Sequence, residues 1–336
     1  MTTLLIGTYP AAGAGTPAGL GEGVWRVELD DATGALGDAR LLAELPAPSF
    51  LAATDGRVHA VLEAEDGLVA TLAPDGERLH EVARVASGGV HPCHVVPLPG
   101  GEALAVANYS SGALGVVPLD GGSAAEPVKV HGHAGHGPRA DRQEGPHAHF
   151  VAVAPGGRHV LVVDLGTDEI RRYAVTDDGL RPAGVAATLP PGTGPRHLDF
   201  AAGHVYVAGE LDVRVHVLAW DEQTATGAWV GAVPAVVGVD VEGDDLPSHL
   251  AVDGDDVVVT VRGSDVVTRY AIAPDGSLTD GRSTPLGGGW PRHFAVVGGW
   301  TVVALERGHE LVTVDRDGRV AARLDLPSPA CVLPVR

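Results

Sequence analysis

The sequence predicts an all-β fold: a single seven-bladed β-propeller with four antiparallel strands per blade, taking residues 1–336 as one domain. Three observations predict it. A short Pro-centred motif recurs seven times. Each complete copy leads into the same succession of short apolar runs and tight turns. The last copy is cut short, and the N-terminus supplies the runs it lacks.

The seven copies are Pro48-Ser49-Phe50-Leu51-Ala52, Pro92-Cys93-His94-Val95-Val96, Pro146-His147-Ala148-His149-Phe150, Pro195-Arg196-His197-Leu198-Asp199, Pro247-Ser248-His249-Leu250-Ala251, Pro291-Arg292-His293-Phe294-Ala295 and Pro329-Ala330-Cys331-Val332-Leu333. Blades are expected to start near 48, 92, 146, 195, 247, 291 and 329, at spacings of 44, 54, 49, 52, 44 and 38 residues. A four-stranded blade takes roughly 40–50 residues.

The sequel is clear after Pro247. Leu250-Ala251-Val252 is followed by a turn at Asp253-Gly254-Asp255 and by the run Val257-Val258-Val259-Thr260-Val261. A second turn, Arg262-Gly263-Ser264-Asp265, leads to Val266-Val267-Thr268-Arg269-Tyr270. Alternating strands and Gly/Asp turns of this kind build an antiparallel unit, and radial repetition makes it a propeller blade. Only Val332-Leu333-Pro334-Val335 follows Pro329, whereas Leu4-Leu5-Ile6, Val24–Leu29 and Leu41-Leu42-Ala43 precede Pro48. Pairing the two ends completes the last blade and removes the open sheet edges. A β-sandwich pair or a β-solenoid explains neither the seven copies nor the split ends.

Composition agrees. Gly 47 and Pro 25 among 336 residues provide many turns, and no apolar pattern of helical period persists over three turns. A formal net charge of −20 disfavours a nucleic-acid partner. Lys129 is the only lysine, so arginine carries the positive charge. Cys93 and Cys331 make no disulfide framework. No apolar run reaches the length of a membrane span, and the N-terminus has no basic, apolar leader pattern. A cytoplasmic monomer or weak homodimer, with no cofactor and no membrane partner, is expected.

Innermost strands line a propeller's channel, so the motif residues converge on one mouth. His94, His149, His197, His249 and His293 occupy corresponding places in five motifs, and Arg196 and Arg292 precede two of them. A second ring is expected at the turn after the next strand: Tyr9, Glu63, Asn108 with Tyr109, Asp164, Glu210, Arg262 and Glu306. Antiparallel alternation brings both rings to the same mouth. The repeated histidines have a structural reading, bonding a neighbouring blade's backbone. Glu63, Asp164 and Glu306 have one as partners of the arginines. The longest spacing holds His131, His133 and His136 in a Gly-rich loop that runs through Arg142-Gln143 into His147. Such spacing fixes no metal geometry, and a substrate-covering loop with Arg142 and Gln143 as contacts is the better reading.

The stretch Asp141-Arg142-Gln143-Glu144-Gly145-Pro146-His147-Ala148-His149 resembles the Arg-Gln…His-x-His pattern of the lactonase family of seven-bladed propellers. That family includes a bacterial 6-phosphogluconolactonase and a fungal carboxy-cis,cis-muconate cyclase. Gly7-Thr8-Tyr9, Ala107-Asn108-Tyr109, Val163-Asp164-Leu165-Gly166-Thr167-Asp168, Gly192–His197, Gly209-Glu210-Leu211 and Arg262-Gly263-Ser264-Asp265 extend the resemblance along the chain. It implies His147 or His149, Arg196, Glu210 and Arg262 as catalytic groups. Arg142, Gln143, His94, His197, His249, Arg292 and His293 are expected around the substrate, with no metal ligands. Two segments depart from the family pattern: Thr260-Val261 stands where Ser-Asn is usual, and Leu305-Glu306 lies where relatives tend to have Asn-Gln.

The expected function is hydrolysis of a sugar lactone, 6-phosphogluconolactone in particular. Arginines would stabilise the oxyanion, and a histidine or Glu210 would serve as base. Cycloisomerisation of a carboxymuconate and a non-catalytic ligand-binding propeller are the alternatives. A Ca²⁺ site drawing on Glu63, Asn108, Asp164 and Glu210 is a further one.

Overall fold

The computed structural model describes residues 1–9, 19–54, 56–240 and 245–335. They form seven antiparallel sheets arranged as a β-propeller, with four strands to a blade. Blade 1 comprises Pro48–Thr54, Arg57–Leu62, Leu68–Asp75 and Arg78–Ala86. Blade 2 comprises Pro92–Pro97, Ala103–Asn108, Ala113–Asp120 and Lys129–Gly132, with the short Ser123–Ala124 beside its third strand. Blade 3 is Ala148–Val153, His159–Asp164, Glu169–Thr176 and Gly179–Thr188. Blade 4 is Pro195–Ala201, His204–Gly209, Arg214–Asp221 and Thr226–Pro234. Blade 5 is Leu246–Asp253, Asp256–Arg262, Val266–Ile272 and Leu278–Pro285. Blade 6 is Pro291–Val297, Trp300–Leu305, Glu310–Val314 and Val320–Asp325.

Blade 7 joins the two ends. Pro329–Val335 is its innermost strand and pairs with Thr2–Thr8, which is followed by Gly23–Leu29 and Arg40–Glu44. The ladder runs from Thr3 opposite Val335 to Thr8 opposite Pro329.

Burial explains why the second strands read as unbroken apolar runs. Each is covered on both faces by neighbouring blades, so Arg57–Leu62, His159–Asp164 and Trp300–Leu305 are buried at all but their first residue. Outermost strands such as Arg78–Ala86 and Val320–Asp325 are mainly exposed and interleave charged with apolar residues. The core is accordingly a ring of inter-blade seams. One packs Val257, Val259 and Val261 of blade 5 against Tyr206, Ala208, Val215 and Val217 of blade 4.

Two backbone devices recur and set the heights of the side chains at the mouth. Ala47, His91, Gly194, Trp290 and Ser328, each immediately before a motif proline, are left-handed with φ between 42° and 63°. Proline disfavours the right-handed helical region in the residue before it. In six blades the carbonyl of this entry residue accepts the N–H of the residue that follows the second strand. These bonds are Glu63 to Ala47, Tyr109 to His91, Leu165 to His147, Glu210 to Gly194, Glu306 to Trp290 and Tyr9 to Ser328, at 2.8–3.1 Å.

These bonds correct the reading of blade 3. His147, not Gly145, is the entry residue, and Ala148 takes the place that proline holds elsewhere. The strand therefore starts two residues after Pro146. Phe150, opposite Val163, is the counterpart of His94, opposite Ala107. His149 sits one place earlier, level with Arg196 and Arg292.

Gly7 lies where the closing strand crosses blade 1, and a Cβ there would come within 2.3 Å of the Pro48 carbonyl oxygen. At Gly231 nothing lies within 4 Å. Gly7→Ala is expected to cost about 1–3 kcal/mol or more, and Gly231→Ala close to nothing, in urea unfolding monitored by circular dichroism.

Candidate active site

Three layers of side chains meet at the mouth. At the rim are the entry residues, among them His91, His147 and Trp290. Below them comes the ring after the second strands: Tyr9, Glu63, Tyr109, Leu165, Glu210, Arg262 and Glu306. Asn108 and Asp164, expected in this ring, each precede it by one residue and face other partners. Asn108 bonds Ser87 at 2.6 Å, and Asp164 bonds His133 and the His147 backbone N–H. The third holds His149, Arg196 and Arg292, and His94, His197, His249 and His293 make the floor beneath it.

Glu210 is the centre of one half of the mouth. Its Oε2 lies 2.8 Å from Arg196 Nε and 2.7 Å from Arg262 Nη2, and its Oε1 is 2.6 Å from Arg142 Nη2. Burial alone would push the Glu210 carboxyl up, but Arg262, Arg196 and Arg142 overcome it and hold the group well below the usual carboxylate range. Three guanidiniums on one carboxylate leave two positive charges in excess. Arg142 reaches in from the long loop, about a third exposed, and also bonds the Tyr109 hydroxyl. Glu210 so held is a poor proton acceptor, which removes it as the base and makes it the clamp for the arginines.

Arg292 occupies the same repeat position as Arg196, with the opposite surroundings. Its Nη1 lies 2.9 Å from Glu306 Oε2, its Nη2 lies 3.2 Å from Glu63 Oε2, and it packs over the Tyr9 ring at 4.7 Å. Burial lowers its pKa, but Glu306 and Glu63 reverse this and raise it. One guanidinium between two carboxylates leaves this half negative.

His149 lies between Tyr109 and His197, with ring centroids 5.5 Å and 5.3 Å away. Burial and the charge on Arg196 hold its pKa well below the ordinary value, so the ring is neutral. His147 stands higher. It stacks on Tyr109 at 4.6 Å, with Nδ1 3.1 Å from the Tyr109 carbonyl and Nε2 3.2 Å from Glu144. Cys93 Sγ is 4.0 Å from His149 Nδ1, but burial pushes the thiol's pKa far up, which removes it as a nucleophile.

The other histidines form the floor. Arg196 Nη1 donates to His197 Nε2 at 3.3 Å, so the His197 proton sits on Nδ1 and points at His249 Nδ1, 2.8 Å away. His94 Nδ1 accepts the Val151 N–H and His293 Nδ1 the Val332 N–H, each from the next blade. This is the structural role that the repeat allows. Phe50 and Phe150 fill the same layer against His94, at 4.1 Å each. The cavity among these groups measures about 10 Å³, room for a water at most.

Gln143 is placed differently from the expected substrate contact. It is enclosed, with Nε2 donating to the Leu165 carbonyl at 2.9 Å and to Asp168 at 2.8 Å. Asp168 also accepts the N–H groups of Gly192 and Gly194, just before Arg196. Gln143 thus bolts the loop carrying Arg142 to the loop carrying Arg196. His133, between Asp164 and Tyr173 at 2.6 Å and 2.9 Å, anchors the loop's other end. Among the described residues no group of three or more His, Cys, Asp or Glu is arranged to hold a metal ion, and no helix is long and apolar enough to cross a membrane.

Fold and site together define a seven-bladed propeller with three guanidiniums gathered on one carboxylate at its mouth. The chain belongs to the family described as "Lactonase, 7-bladed beta-propeller", whose profile matches residues 3–334. It is 29% identical to the 6-phosphogluconolactonase of Bacillus subtilis, over 97% of this chain and 96% of that protein. The periplasmic gluconolactonase of Pseudomonas aeruginosa has the same fold, with a TM-score of 0.88 at 26% identity over 100% of this chain and 99% of that one. A protein from Lactobacillus plantarum gives 0.89 at 26% identity over 100% and 99%.

The floor makes stability depend on pH. Burial holds His94, His197 and His249 well below their ordinary values and His293 down at about 3. Unfolded imidazoles take a proton near pH 6.5, so below that the unfolded chain binds more protons and stability falls as the pH drops. Glu210 acts in the same direction at lower pH, since its folded pKa is depressed. The melting temperature is expected to fall steadily from pH 7 to pH 4. In His249→Phe the slope should shrink by about 1.4 kcal/mol per pH unit, read from urea unfolding across that range.

Proposed function

We propose that the protein hydrolyses an aldonolactone, 6-phosphogluconolactone in particular, without a metal ion. The observation that carries this reading is the Glu210 carboxylate shared by Arg142, Arg196 and Arg262. It fixes three guanidiniums with charge to spare where an anion is to be bound or formed. The Bacillus subtilis relative supports the substrate class.

The lactone carbonyl lies over Arg196 and Arg262, and water attacks its carbon. Neutral His149 takes the water's proton, and the two arginines stabilise the oxyanion. The tetrahedral intermediate collapses with cleavage of the ring C–O bond, and the departing alkoxide takes a proton from the histidine. The products are a hydroxyl and a carboxylic acid, which releases one proton to solvent. His149, with its depressed pKa, is a weak base, so the arginines carry most of the rate enhancement. The phosphate meets Arg142, the most exposed of the three. The sugar hydroxyls face Glu63 and Glu306, which accept their hydrogen bonds.

That negative half argues against cycloisomerisation of a carboxymuconate. A ligand with carboxylates at both ends would press one of them onto Glu63 and Glu306, and a neutralised Arg292 offers no compensation.

Proton release from 6-phosphogluconolactone in a pH-stat is expected to exceed the spontaneous rate. Arg196→Ala should lower kcat/KM by about 10²–10³. A wild-type rate equal to the spontaneous one sinks the reading. Arg142→Ala should raise KM for the phosphorylated lactone by about ten- to a hundredfold and leave that for unphosphorylated gluconolactone nearly unchanged.

A further inference from the structure

The entry position before the inner strand holds Ala47, Gly194 and Ser328 in three blades and Trp290 in blade 6. The Trp290 indole has no counterpart in those three blades. Its backbone φ is +63°, strained for a bulky residue, and its enclosed N–H has no hydrogen-bond partner. A costly side chain at the edge of a binding site is a sign of function.

The indole sits against two guanidiniums, with Arg307 3.4 Å and Arg262 5.5 Å from its centroid. On the side of Gly263 it walls a cavity of about 380 Å³, shared with Val239, Val266, Pro285, Asp240 and Ser264. Among the described residues no lysine or arginine lines this space. Apart from the enclosed indole N–H, its polar side chains accept rather than donate. Asp240 carries a carboxylate, and the single Ser264 hydroxyl proton is engaged by Asp245 at 2.7–2.8 Å. An aromatic wall with apolar neighbours and acceptor-only polar groups suits a ring that has an apolar C–H face and O–H donors. It does not suit a phosphate.

We propose that this cavity is an outer subsite, with Trp290 as its platform, for an uncharged glycosyl ring attached to the lactone held at Arg196 and Arg262. The inference rests on the lactonase reading and extends it to aldonolactones of disaccharides. The bond hydrolysed is the same lactone ester, and the glycosidic bond stays intact.

Binding of the open-chain aldonates tests it apart from turnover. By titration calorimetry, lactobionate, a galactosyl gluconate, is expected to bind about tenfold tighter than gluconate. Trp290→Ala should abolish that preference by lowering lactobionate affinity about tenfold more than gluconate affinity, and the variant should still fold, since Ala47 already serves at this position. Trp290→Phe should retain most of the preference. Equal affinities for the two aldonates in the wild type, no binding of either, or an equal loss of both in Trp290→Ala would overturn the subsite. Failure of lactone hydrolysis with the lactobionate preference intact would overturn the lactonase reading alone.

Discussion

The ladder between Thr2–Thr8 and Pro329–Val335 is the constraint on which everything else depends. A ring of blades has no edge only if it closes, and each blade buries its second strand only if both neighbours are present. Closure therefore acts on every seam at once. It also fixes the ring at seven blades, and with that the spacing of the side chains that point inward. Glu63 of blade 1 and Glu306 of blade 6 both reach Arg292 because blade 7, built from the two chain ends, sets the distance across them.

Within that frame, the hydrogen bond from the residue after the second strand to the entry carbonyl determines which side chains meet. The bond stacks Glu210 above Arg196 and Glu306 above Arg292 by the same backbone arrangement. Two Arg–Glu pairs two blades apart are copies of one geometric solution. Their difference in charge comes from outside the repeat: Arg142 arrives from a long loop at Glu210, and Glu63 from blade 1, on the far side of blade 7, at Arg292.

Much of this was legible in the sequence because repeats advertise position. The seven prolines located six inner strands to within a residue, and the split seventh blade followed from counting runs. The exception was blade 3. A proline at 146 looked equivalent to the others, whereas the backbone register placed Ala148 there, and nothing in the local residue types distinguishes a two-residue offset. The ring of acids and arginines was legible for the same reason as the strands. Gln143 was misread because a polar residue in a Gly-rich loop looks solvent-facing. Its partners, the Leu165 carbonyl and Asp168, are more than twenty residues away, and no local pattern reveals such a pairing. Trp290 went unnoticed because it precedes the motif, and the left-handed conformation that sets it at the rim is not encoded by an indole.

Repetition and function make opposite demands, and the mouth shows how both are met. A propeller with seven equal blades would present seven equal groups to the axis and bind nothing with orientation. Here the lower layer is nearly symmetric, since His94, His197, His249 and His293 with Phe50 and Phe150 pack ring against ring, and His94 and His293 accept a backbone N–H from the next blade in the same way. Asymmetry enters only above it, where few blade-to-blade backbone bonds depend on side-chain identity. There the Glu210 half keeps an excess of guanidinium and the Arg292 half an excess of carboxylate. A ligand with one anionic end and one hydroxylated end feels a field across the mouth that orients it before any contact is made. Turning it round would set its anion against Glu63 and Glu306. The layer that holds the ring together and the layer that reads the ligand are thus separate, and the upper one can diverge among relatives without loss of the fold.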